Sequence, residues 1–217
     1  MTSRLVLHSF FRSSTSFRVR TALAVKELEF DQETYNFREN AQRSENYLKR
    51  NPQGLVPTLT LQDGEDIHQS LAILEWLEEK HPHPPLLPAD ASGRARVRSL
   101  AHTIALDIHP INNLRVLNRL REQFGADDEQ VKTWFLHWVS LGFEAFETRL
   151  ANEADTGKFC HGDSLSMADI CLVAQSVNNQ RFGFDETPFP TIRNIVERCL
   201  QIPAFQSAMP SAQPDAV

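Results

Sequence analysis

The sequence predicts a mixed α/β module joined through a proline-rich linker to an all-helical module. Three observations predict it. Strand and helix signals alternate up to about residue 80. Four prolines, Pro82, Pro84, Pro85 and Pro88, then make a stiff, helix-breaking stretch. From Ser92 onward apolar residues recur at helical spacing and the strand signals stop.

Taken in order, residues 4–8 (RLVLH) are an apolar run of strand length. Residues 13–16 are a Ser/Thr turn, and Val19, Ala22, Leu23 and Lys26 follow at helical spacing. Residues 28–35 read as a second strand. Tyr47 and Leu48 mark a short helix that stops before Pro52, because the residue preceding a proline is pushed out of the helical region. Residues 56–61 read as a strand, Asp63-Gly64 as a hairpin turn and residues 65–68 as the returning partner. Ser70 is placed to cap a helix with apolar positions at Ile73, Leu74, Trp76 and Leu77. The first module therefore has the order β-α-β-α-β-β-α.

Beyond the prolines, residues 92–124 have helical periodicity broken only at Pro110. Its missing N–H leaves the Leu106 carbonyl without its usual partner and should bend the helix. Residues 127–151 form a second long helix carrying Trp134, Phe135, Trp138, Leu141, Phe143 and Phe146. The run SMAD at 166–169 is a capping box ahead of an apolar helix. Residues 192–200 give one more helix, which Pro203 closes, and a Pro/Ala/Ser tail follows Met209. The expected division is residues 1–82, a linker at 83–89, and residues 90–217.

Composition narrows the function. The 217 residues are 41% hydrophobic and carry a formal net charge of −6, an ordinary balance for a folded domain pair. An acidic balance argues against a nucleic-acid partner, since phosphate binding needs a basic face. No apolar run approaches the roughly 20 residues of a membrane span. The N-terminal apolar stretch is too short for a signal peptide. Cys160, Cys171 and Cys199 cannot all pair within one chain and lack zinc-site spacing, so reduced thiols in a cytoplasm are expected.

Four places stand out chemically, each with a plainer alternative. Residues 13–16 open a helix whose free N–H groups and added hydroxyls suit an anion or a thiolate, or serve as an ordinary cap. Val56-Pro57 leads into a strand; a cis bond there would turn the Val56 backbone toward a ligand, and residue type alone does not specify cis. Gln69-Ser70 begins a helix that suits a carboxylate or is simply capped. Residues 107–115 (DIHPINNLR) put polar side chains around a proline, either at a cleft or on a solvent-facing stretch.

Together these residues resemble the cytosolic glutathione transferases, and among them the zeta class, which includes the maleylacetoacetate and maleylpyruvate isomerases. The resemblance covers nearly the whole chain. Its core is SSTSFRVR at 13–20, joined by NPQGLVPTL at 51–59, HQSLAILEWLEE at 68–79, DIHPINNLRVL at 107–117, SMADICLVAQ at 166–175 and QPD at 213–215. The resemblance implies a thioredoxin-like α/β N-terminal domain followed by an all-α C-terminal domain. It implies glutathione as cofactor, with Ser14 donating to its sulfur beside Ser13, Thr15 and Ser16. It implies that Gln42 and Val56, through a cis bond to Pro57, hold the glutathione backbone, and that Gln69 and Ser70 bind its γ-glutamyl carboxylate. His109, Asn113 and Arg115 would face the substrate, and Arg12 and Arg181 match positions that bind substrate carboxylates. The family's usual signature has cysteine where this chain has Thr15.

The implied reaction is cis–trans isomerisation of a maleyl-type keto acid, a small dianion, by addition of the glutathione thiolate, bond rotation and elimination. A homodimer is implied as well. The same site suits two rivals: a general glutathione transferase or dehalogenase acting on α-halo acids, and a non-catalytic glutathione-binding protein.

Overall fold

In the computed structural model, which describes residues 4–216, strand β1 (Leu5–Ser9) lies at the centre of the first unit. It pairs parallel with β2 (Phe30–Thr34) and antiparallel with β3 (Thr58–Thr60). Strand β4 (Asp66–His68) returns antiparallel to β3 through the Asp63-Gly64 turn, giving the order β2-β1-β3-β4. Gly64 has φ 93°, a conformation that glycine adopts without penalty.

Alternate side chains take opposite faces of this sheet. Leu5, Leu7 and Leu59 are buried on one. Helices α1 (Ser14–Val25) and α3 (Ser70–Lys80) pack together and add Val19, Ala22, Leu23, Ile73, Leu74 and Leu77 to the core. The register puts His8, Thr58, Thr60, Asp66 and His68 on the other face. That polar face is tied to the short helix α2 (Glu45–Arg50) and the loop after it. Arg50 bonds Asp66 at 2.8 Å, and the Tyr47 hydroxyl donates to the Leu55 carbonyl at 2.6 Å.

The second unit is Leu86–Cys199. It contains α4 (Ala91–His102), α5 (Leu114–Phe124), α6 (Asp128–Asn152), α7 (Met167–Gln180) and most of α8 (Pro190–Leu200). Helix α4 packs on α7, and the capping box predicted at Ser166 is present. Pro110 does more than bend one long helix. After α4 the chain widens into a π-helical turn, Thr103–Ile108, where the His109 N–H reaches back to the Ile104 carbonyl at 3.0 Å. The helix then stops, and Asn113 caps a new one. A proline two residues past the π turn cannot supply the donor that would continue it.

Gly142, in mid-α6, allows this turn to pack closely. A Cβ at Gly142 would fall inside the Ile108 side chain, which is itself buried. Replacing a helical glycine by alanine ordinarily gains about 0.5–1 kcal/mol. Here we expect Gly142→Ala to cost about 1–3 kcal/mol through overpacking, read as a lower urea midpoint with an unchanged slope.

The expected division at residue 90 is not the one the contacts draw. The first unit runs to Pro85 and takes up the chain again from Leu200, so the last residues do not belong with the helical unit. Pro203 does not merely close α8. It occupies the first turn of α9 (Pro203–Ala208), where its missing N–H is harmless, and α9 packs on α1.

Candidate functional site

The start of α1 is held by two hydroxyls, one amide and one carbonyl. Ser13 is the N-cap and its Oγ accepts the Ser16 N–H at 3.1 Å. Thr15 Oγ1 donates to the Val56 carbonyl at 2.9 Å, since a carbonyl can only accept. Ser13 therefore donates to Thr15 Oγ1, at 2.8 Å. The bonds run in one direction, from the Ser16 amide through Ser13 and Thr15 to Val56. They fasten the helix start to the loop before β3, and the Val56-Pro57 bond in that loop is cis. A cysteine at position 15 would be a weaker donor in this chain. Thr15 therefore supplies the donor that ties this turn to Val56. Ser14, the first residue of α1, is buried, and no acidic side chain in the first turn offsets the helix's positive end.

Gln42 is buried in a short 3-10 turn, and its Oε1 has no hydrogen-bond partner. Its backbone lies against Gly54, where an added Cβ would be 3.0 Å from the Gln42 carbonyl oxygen. The structure thereby brings Gln42 to the same loop as Val56. At the start of α3 the N-cap is Gln69, not Ser70, and its side chain makes no capping bond. Gln69 has φ 70°, a strained value for a residue with a Cβ, and its Nε2 donates to Gln53 Oε1 at 2.9 Å. Ser70 follows as the first helical residue, and its Oγ accepts from Arg18 Nη1 on α1 at 3.2 Å. Arg12 precedes the α1 cap, and its guanidinium lies 4.9 Å from the Phe11 ring centroid.

In the second unit, His109 and Asn113 lie on either side of Pro110, and Arg115 follows in the first turn of α5. The Asn113 Oδ1 accepts the Arg115 N–H at 3.1 Å, so its amide nitrogen faces His109 Nε2 at 3.3 Å. His109 Nε2 accepts that bond, which places the ring proton of the neutral imidazole on Nδ1. Arg115 is exposed. Arg181 is exposed at the C-terminus of α7, where it bonds Asn178 at 3.3 Å.

Other residues of the first unit support these and were not singled out from the sequence. Asn51 Nδ2 donates to the Leu55 carbonyl at 2.8 Å, bracing the loop that presents Val56. Arg20 is buried and reaches back from α1 to the turn that carries Arg12; burial draws its pKa down to about 10. The signal for Arg20 was its place in SSTSFRVR, but a charged residue on a helix reads first as surface.

Comparison with known proteins places this geometry among relatives. A family model described as "Glutathione S-transferase, N-terminal domain" matches residues 3–79. The chain is 43% identical over 210 residues to a maleylpyruvate isomerase from Ralstonia sp, covering 97% of this chain and 99% of that one. It is similar to a holo structure of maleyl pyruvate isomerase, described as a bacterial zeta-class glutathione S-transferase. The TM-score is 0.95 at 43% identity, over 98% of this chain and 100% of that one. It is equally similar to a maleylacetoacetate isomerase of Methylobacterium extorquens AM1 solved with malonate and GSH, with a TM-score of 0.95 at 40% identity over 98% and 99%.

Proposed function

The chain belongs to the zeta class of the glutathione S-transferases, and from that premise we propose that it is a glutathione-dependent isomerase of maleyl-type keto acids, maleylacetoacetate or maleylpyruvate, giving the fumaryl isomer. The observation that carries the reading is the near-full-length likeness to such isomerases, which spans both units.

The residues present fit glutathione. Gln42 Oε1 is a buried acceptor without a partner, and the start of α3 has no side-chain cap. Gln42 and Val56 are the proposed partners of the tripeptide backbone, and Gln69 and Ser70 of its γ-glutamyl carboxylate. When bound, glutathione supplies the nucleophilic sulfur that makes the double bond temporarily single. Ser14 and the positive end of α1 favour the ionised form of that sulfur, whose thiol otherwise stays protonated below about pH 8.5. Ser13 and Thr15 hold the turn in place by the directed bonds to Val56. Arg12, Arg115 and Arg181 are the proposed partners of the substrate's carboxylates, because a guanidinium fork matches two oxygens at once. They also favour negative charge developing on the keto oxygen. His109, oriented by Asn113, is a further proposed substrate contact.

We place the reaction in the cytoplasm; support comes from three buried, unbridged cysteines, and no helix of the structure is long and apolar enough to cross a membrane. We propose a homodimer as the working assembly. Four large apolar side chains, Leu106, Leu114, Phe124 and Leu141, stand exposed on the second unit and would gain from a partner.

The test is turnover of both acids side by side with glutathione, reported as kcat/KM. Formation of the fumaryl products is expected. Absence of turnover on both acids overturns the reading, and faster turnover of dichloroacetate or chlorodinitrobenzene replaces it with a general transferase or dehalogenase.

A further inference from the structure

The turn between β1 and α1, which carries Arg12 and Ser13 and leads into Ser14, is held from outside at both the N–H and the carbonyl of Phe11. The Phe11 N–H donates to Asp215 Oδ2 at 2.9 Å. The Phe11 carbonyl accepts from Arg20 Nη2 at 3.1 Å. Arg20 Nη1 also donates to Ser9 Oγ at 3.0 Å and to the Phe10 carbonyl at 3.5 Å. Its Nε donates to the carbonyl of Ala208, the last residue of α9, at 3.1 Å.

The segment that brings Asp215 here is itself fixed. Gln213 is buried and its Nε2 donates to the Ser207 and Met209 carbonyls at 2.8 and 2.9 Å. Gln213, Pro214 and Asp215 are the QPD run, to which neither the resemblance nor the proposed mechanism gives a role. The Phe11 ring, 6% exposed, is the surface on which the Arg12 guanidinium lies, and it meets Phe10 edge-on at 4.8 Å. Phe10 in turn stacks on Phe37. A shift of the Phe11 backbone therefore moves the platform of Arg12.

We propose that Asp215 and Arg20 are positioning residues for the catalytic turn: Asp215 through the Phe11 N–H and Arg20 through the Phe10 and Phe11 carbonyls set where Arg12 and Ser14 stand. Neither residue needs to touch the substrate. Arg20 supplies donors only, and a guanidinium presents them in a rigid planar fork that lysine lacks. Asp215 supplies the one acceptor that a backbone N–H in this turn requires. The proposal rests on the isomerase reading for its kinetic consequence and on geometry alone for its structural one.

The experiment compares wild type, Asp215→Ala, Asp215→Asn and, as a control on an exposed residue of the same segment, Ser211→Ala. Amide hydrogen exchange across residues 10–14 is read together with KM and kcat for the keto acid and calorimetric glutathione affinity. For Asp215→Ala we expect faster exchange at Phe11. We also expect a keto-acid KM raised about tenfold as Arg12 loses its place, and little change in glutathione affinity. Asp215→Asn retains an acceptor oxygen and should restore slow exchange and most of the KM. Ser211→Ala should match wild type. Unchanged exchange at Phe11 in Asp215→Ala, or faster exchange with wild-type KM and kcat, overturns the proposal. If Asp215→Ala does not fold, Asp215→Glu displaces the carboxylate by one methylene and is judged by the same two criteria. A wild-type protein inactive on both acids sinks the isomerase reading instead, and exchange at Phe11 then decides the positioning claim by itself.

Discussion

Ser14→Ala is expected to lower kcat/KM for the keto acid about 100-fold, the scale on which losing one preorganised donor to a developing or bound anion is felt. Ser13 and Thr15 direct their protons along the bonds that end on the Val56 carbonyl, so neither proton is aimed at a ligand. Ser14 stands at the first position of α1, where the helix's positive end already favours an anion. Three readouts follow. The thiol pKa of bound glutathione, followed by the ultraviolet absorbance of the thiolate, should rise in Ser14→Ala. Calorimetric affinity for glutathione should change much less, because the proposed contacts of Gln42, Gln69 and Ser70 are untouched. Ser13→Ala should behave differently. It removes an N-cap and is expected to cost about 1 kcal/mol of stability with a smaller loss of turnover. If Ser13→Ala abolishes turnover while Ser14→Ala leaves it intact, the sulfur's donor is Ser13 and the assignment is wrong.

How much of this site was legible in the sequence depends on how far apart its partners lie. The start of α1 was readable because a cap acts within three residues, and Ser13 meets the Ser16 amide as a serine at a helix entry does. The capping box at Ser166 was readable for the same reason. At the start of α3 the reading slipped by one position. A serine there looks like a cap, whereas the chain reverses at Gln69 with φ 70°, a conformation that residue type signals only when the residue is glycine or asparagine. Pro110 was readable as an interruption but not as a π turn, whose Ile108 packs against Gly142, a residue 34 positions away in α6 that no local pattern near Pro110 announces. Asn113 sits four residues after His109, a spacing that pairs side chains on a helix, yet the pair forms where the helix is interrupted. The bond from Phe11 to Asp215 joins residues 204 positions apart, and no local pattern near either one announces it. The same holds for the end of the chain, which composition alone marks as a tail. Its apolar and polar anchors, Phe205 against Phe17 and Arg20 against Ala208, return it to the first unit.

Lys26→Met is expected to be the most destabilising single change away from the site, costing about 3–5 kcal/mol. That is a large share of the roughly 5–15 kcal/mol that holds a typical domain folded. Lys26 follows the last turn of α1, and its ammonium is fully withdrawn from solvent. Its Nζ donates to Glu78 Oε2 on α3 at 3.0 Å, to the His81 carbonyl at 2.6 Å and to the Pro84 carbonyl at 3.0 Å. An ammonium has three protons, and each has an acceptor. The same group therefore neutralises a buried carboxylate and ties down the first prolines after α3, where no secondary structure supplies backbone donors. Methionine fills the space but leaves the Glu78 carboxylate buried without this cation and both carbonyls without this donor. Part of the penalty comes from the buried Glu78 carboxylate losing this cation, so it should shrink when the charge is removed too. Lys26→Met with Glu78→Leu is expected to recover much of the loss, and a double-mutant cycle in urea should report a coupling of about 2–3 kcal/mol. The kcat of folded Lys26→Met should stay near wild type at low temperature, because the bonds of Lys26 go to Glu78, His81 and Pro84, none of which is proposed to hold glutathione or the acid. A single variant that unfolds at the wild-type urea concentration would show that the buried pair contributes nothing net. A double variant no better than the single would show that the two carbonyls, and not the carboxylate, are what Lys26 is needed for.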